Sequence, residues 1–184
     1  MNILTKRSFT VKYRILAGIA AIIGAVALPQ LFHAVGAVSG LGTSLGEAFL
    51  PMHFPVILAG FLAGPFAGAA AGALSPLVSF AISGMPSAAM LPFMCIELCV
   101  YGLTAGLLAN AKMPSVCKLL IAMSAGRIVR AGAIALSIFA FGNETLKPAA
   151  MWNNLTVGLP GMLLQICVIP LLLYRIDGAK KNER

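Results

Sequence analysis

The chain has 184 residues, of which 60% are hydrophobic and only 10% charged. Soluble domains carry about 45–50% apolar and about 25% charged residues, so composition sets aside a soluble globular domain and points to an integral membrane protein. The formal net charge of +8 does not indicate nucleic acid, because Lys and Arg gather at the termini and in one short loop, as charges beside anionic headgroups do.

Taken in chain order, the first segment is basic (Lys6, Arg7, Lys12, Arg14) and turns apolar from Ile15 to about Phe32. That run is longer than the core of a signal peptide, so it reads as a retained helix over about residues 13–35. It carries a small-residue ladder, Ala17, Ala21 and Ala25, which suits contact with another helix, either inside the bundle or in a partner. A second helix spans about 50–63, short for a full crossing, with His53 between Pro51 and Pro55 at its start. A third spans about 66–84. Gly60, Gly64, Gly68 and Gly72 recur every four residues across both, split by Pro65, and this spacing lets backbones approach closely; a pore lined by small residues is the alternative. A fourth helix over about 87–109 contains Glu97, a fifth over about 117–141 contains Arg127 and Arg130, and a sixth over about 152–174 contains Gln165. Pro65, Pro86 and Pro114 punctuate the junctions.

Six crossings satisfy the positive-inside rule. With the N-terminus in the cytoplasm, the first basic cluster, Lys112 and Lys118, and Arg175, Lys180, Lys181 and Arg184 all lie inside; only Lys147 falls outside. Five or seven crossings would expose one basic terminus. The expected fold is therefore an all-α membrane domain over residues 1–184: a compact bundle of six transmembrane helices with both termini cytoplasmic.

Three charges inside apolar runs stand out, because a charge near the bilayer centre is costly and marks a pathway or site. At a rise of 1.5 Å per residue, Glu97 and Arg130 both lie roughly 15–17 Å below the outer face. Helices four and five are joined by a short loop, so an ion pair between the two is geometrically reasonable. Arg127 sits one turn deeper, and Gln165 at comparable depth. Two arginines against one carboxylate leave a positive surplus, which suits either a structural network or a cavity for an anionic solute, since Arg presents a planar, permanently charged fork. A proton relay is disfavoured with a single buried acid. Nearer the outer face, His53, Glu47, Trp152, Asn153 and Asn154 are placed to form the mouth of a pocket, although Trp152 also reads as an interfacial anchor and the asparagines as helix caps.

Other chemistry is not written in the chain. There is no phosphate-binding loop ending in Gly-Lys-Ser/Thr, and no His-Glu-x-x-His or Ser/His/Asp arrangement. Cys95, Cys99, Cys117 and Cys167 lie in or beside apolar spans with no metal-ligand spacing and no disulfide framework. No enzymatic activity, metal or cofactor is expected.

The segment Leu50-Pro-Met-His-Phe-Pro-Val-Ile-Leu-Ala-Gly-Phe-Leu-Ala-Gly-Pro, with Leu74-Ser-Pro-Leu, Ser83-Gly-Met-Pro86, Glu97-Leu-Cys-Val-Tyr-Gly102, Gly126-Arg-Ile-Val129 and Leu159-Pro-Gly-Met-Leu-Leu-Gln-Ile166, resembles the substrate-binding S components of energy-coupling-factor (ECF) transporters. The resemblance spans about residues 12–175 and is nearest the branch assigned to pantothenate. It implies capture of a vitamin or similar micronutrient at the outer side of the cell membrane, in partnership with an energising module of one transmembrane coupling protein and two ATPases. It implies that the Ala17–Ala21–Ala25 strip docks the coupling protein. The substrate-binding set expected on this reading is His53, Glu97, Arg127, Arg130, Asn153 and Gln165. A cobalamin-type substrate, a non-transport membrane scaffold and a self-contained ion-coupled carrier are the competing readings, the last lacking a titratable pathway beyond Glu97.

Overall fold

The structure is a computed structural model that describes residues 10–143, 145–149 and 156–182. Among them the regular elements are all helices: α1 (Val11–Ser39), α2 (Ser44–Phe49), α3 (His53–Ala63), α4 (Pro65–Ser83), α5 (Leu91–Leu108), α6 (Ser115–Phe139) and α7 (Leu159–Asn182). Six stretches are long and apolar enough to cross a membrane: α1, the α2–α3 pair over Ser44–Ala63, α4, α5, α6, and Leu159–Ile176 within α7. In hydrocarbon the backbone has no water to bond, so a crossing segment must satisfy its own N–H and C=O groups as a helix. Ile23, Leu31, Ile128, Leu136 and Leu163 point outward from the bundle, an aliphatic surface matched to lipid. The chain is a multi-pass, all-α membrane protein.

Local sequence explains most element ends. Thr10 caps α1, its Oγ1 accepting the Tyr13 N–H at 3.4 Å, and Gly40 in the left-handed region (φ 75°) closes it. Gly64, at φ 100°, turns the chain between α3 and α4, and Pro65 supplies the first residue of α4.

The second crossing differs from its expected start near residue 50. It begins at Ser44 and is built from two helices joined at Leu50, which adopts a left-handed backbone (φ 48°). Gly40 and Gly42, both at positive φ, reverse the chain directly after α1. Thr43 Oγ1 then donates to Glu47 Oε1 at 3.1 Å across the first turn of α2.

The glycine ladder is answered by a second set of glycines on α5. Gly68 and Gly102 are so close that a Cβ on either would strike the other's backbone; Gly72 meets the Leu98 backbone in the same way, and Gly106 meets Pro65. The ladder is therefore filled by a helix and lines no pore. Beside this seam Val56, Ile57, Leu98, Tyr101, Ala105 and Ile169 are fully buried, joining α3, α5 and α7 in one apolar core.

The alanine ladder of α1 needs correction as a docking strip. Ala21 is buried against Ala59 and Ala71, and Ala25 is fully buried in the main core. Ala17 is half-buried on the same face. Small side chains at this spacing guarantee close approach but not its partner, and here the partners are α3 and α4 of the same chain.

Candidate solute-binding cavity

Four side chains converge at mid-depth. Glu97 projects from the middle of α5 and is only 1% exposed. Arg130 on α6 donates from Nη1 to Glu97 Oε2 at 3.0 Å, so the ion pair expected from depth counting is formed. Tyr101, one turn further along α5, donates its hydroxyl to Glu97 Oε1 at 2.9 Å. His53, at the first position of α3, places Nε2 3.9 Å from Glu97 Oε1 and stacks obliquely on Tyr101, ring centroids 5.3 Å apart. Gly126, four residues before Arg130, gives the Tyr101 ring its seat on α6, because a Cβ there would overlap the ring. A buried carboxylate is tolerated when its charge is paired and its remaining lone pairs are bonded, and Arg130 and Tyr101 supply both.

This cluster floors a cavity of about 450 Å³. The walls are Pro29 and His33 of α1, Gly46 and Glu47 of α2, the Leu50–His53 corner, Ser79 of α4, the Met85–Ser87 link, and Met90 and Met94 of α5, with Glu97 and Arg130 beneath. All of these except the floor come from the half of the bundle remote from Val11 and from the α5–α6 turn, so the cavity opens toward the face opposite the N-terminal end of α1. It is apolar at the sides and polar at the base, the usual anatomy of a small-molecule site, whose volumes run about 300–1,000 Å³.

The sequence-predicted residues separate into three groups. His53, Glu97 and Arg130 line the cavity together. Arg127 is half-buried one turn away and does not line it; Gln165 is buried on α7 and donates from Nε2 to the Leu50 carbonyl at 3.3 Å, supporting the corner from behind. Asn153, with Trp152 and Asn154, lies outside the described residues. Sequence reasoning missed His33, Ser79 and the methionine wall of Met52, Met85, Met90 and Met94. His33 was legible in principle as the second of only two histidines; a serine or methionine in an apolar helix gives no signal, since both are ordinary packing residues there.

Among the described residues no group of three or more His, Cys, Asp or Glu side chains could hold a metal ion, and the four cysteines are free thiols. A multi-helix membrane protein with an apolar-walled, charge-floored cavity near one face is a solute-binding membrane protein by class. Its lineage is specific: the family profile of the ECF transporter substrate-specific component matches residues 11–173, and the chain belongs to that family. Neither the curated proteins nor the solved structures contain a match to it. Membership makes the chain the substrate-specific binding subunit of an ECF importer, which works with an energising module. The family is a class of transporter component and not of enzyme.

Proposed function

We propose that this subunit captures a vitamin or related micronutrient at the outer face of the cell membrane, with pantothenate the preferred substrate, and passes it to a module of one transmembrane coupling protein and two ATPases. The observation that carries the reading is the cavity: about 450 Å³, walled by apolar side chains and floored by the Arg130 guanidinium beside Glu97. A small hydroxy-amide acid with a methylated carbon suits such a site, its carboxylate toward Arg130 and its methyl groups toward Met90 and Met94. Guanidinium is the side chain best matched to a carboxylate.

A corrinoid is several times larger than this cavity, so volume favours a small carboxylate over a cobalamin-type solute. Orientation follows from charge. The cavity mouth is remote from Lys112 and Lys118, and the positive-inside rule puts those lysines and both termini in the cytoplasm, which faces the mouth outward.

The test is direct. Mass spectrometry of the small molecules that co-purify with the protein should recover pantothenate, and isothermal titration against a vitamin panel should show saturable binding of it by the isolated subunit. Uptake by cells or vesicles should require ATP and the module. Saturable binding of another vitamin with none of pantothenate refutes the substrate; no saturable binding anywhere in the panel refutes the capture role.

A further inference from the structure

We infer that a carboxylate solute is held in this cavity together with one proton taken up from water, and that His53 carries the proton. The inference rests on the carboxylate reading above and deepens it. Its basis is the charge inventory of the site. The cavity is lined by Glu47 of α2, Glu97 of α5 and Arg130 of α6, a sum of −1. Arg127, behind the floor on α6, brings the polar layer to zero, where the sequence count without Glu47 left a positive surplus. The other facing groups add no charge: Tyr101 on α5 is a hydroxyl donor to Glu97, α4 contributes Ser79, and α7 contributes Gln165 through the Leu50 carbonyl.

An entering carboxylate therefore takes a neutral layer to −1 at a depth where unbalanced charge is strongly disfavoured. The arginines are permanently charged and are already counted. Only an imidazole can add a positive charge near neutral pH, and both histidines of the chain line this cavity.

His53 is the better placed of the two. It is buried, its Nε2 faces Glu97 Oε1 at 3.9 Å, and its Nδ1 is buried with no hydrogen-bond partner. Protonated, it would lie between two carboxylates, that of Glu97 and that of the solute, with donors on both ring nitrogens. His33 is only half-buried and lies at the rim against Gly46.

The experiment is isothermal titration of the purified subunit with pantothenate in two buffers of different ionisation enthalpy, from roughly pH 5.5 to 8. The alcohol analogue panthenol, which lacks the carboxylate, is run alongside. We expect uptake of about one proton per pantothenate near neutral pH and a Kd that weakens by up to about tenfold per pH unit on the alkaline side. Panthenol should bind with no proton uptake. H53Q should bind pantothenate more weakly, without proton uptake and with a flat pH profile, while H33Q keeps the slope. Saturable binding of pantothenate with no proton uptake and a flat Kd in the native protein overturns the inference and leaves the carboxylate reading standing. Uptake that survives in H53Q and disappears in H33Q overturns the assignment to His53. No binding of pantothenate at any pH removes the carboxylate reading, and this inference with it. The proton count on the native protein decides the matter even where a variant fails to fold.

Discussion

Glu97 is held on three sides, by Arg130, by Tyr101 and by the His53 ring, and the arrangement sets how the protein responds to mutation. Removing one member of a buried pair strands the other charge and costs about 3–5 kcal/mol, whereas replacing both by uncharged groups of similar size is often neutral. Arg130→Met is thus expected to lower thermal stability in detergent by about that amount. The double variant E97Q/R130M, which keeps an acceptor for the Tyr101 hydroxyl, should recover most of it while losing solute binding. Thermal unfolding and titration on the same preparations separate the two effects. At this scale the sequence was informative where a depth could be counted. Glu97 and Arg130 fall at one level on adjacent antiparallel helices, and a rise per residue suffices to pair them. Arg127 shows the limit of that argument, because one turn and a modest rotation remove it from the cavity, and rotation about a helix axis is set by packing that no spacing rule contains.

Among the elements, α4 and α5 form the tightest pair. Their contact is backbone on backbone, Gly68 on Gly102 and Gly72 on Leu98, so any side chain inserted there must part the helices. Gly102→Ala is expected to destabilise by about 1–3 kcal/mol, the usual cost of overpacking a filled core, and to raise the aggregated fraction on size-exclusion chromatography. Gly132→Ala is the control, since nothing lies within 4 Å of a Cβ there and the helix gains by up to about 1 kcal/mol from the better helix former. The periodic glycines of α4 announced close packing, but their partner glycines on α5 are spaced within an ordinary-looking Tyr101-Gly102-Leu103-Thr104-Ala105-Gly106 run. The alanine ladder of α1 was misread for a related reason: periodicity identifies a smooth face and says nothing of what covers it. The α2–α3 corner was invisible as well, since a leucine in the left-handed region contradicts local preference and is held there by tertiary contacts.

For the whole molecule, the arrangement of helices and charge commits to one orientation. Cys117 is exposed in the first turn of α6, beside Lys112 and Lys118, while Ser87 lies at the cavity rim. In a variant keeping only Cys117, a membrane-impermeant maleimide should label the protein after permeabilisation and not in intact cells. In a cysteine-free background, Ser87→Cys should be labelled in intact cells and protected by saturating solute. The reverse pattern for Cys117 would invert the topology and turn the cavity mouth inward. One small contact then acquires a mechanical meaning. The Leu50 carbonyl accepts both the His53 N–H at 3.1 Å and the Gln165 side chain at 3.3 Å, while the α2 helix just before it rests on Gly161 through Phe49. The joint where the second crossing bends is pinned to the last one at two points. A lateral shift of α7 against a coupling protein would therefore pull on the rim and on His53 at once, acting as a crank on the mouth of the cavity while the Glu97–Arg130 floor, anchored to α5 and α6, stays still.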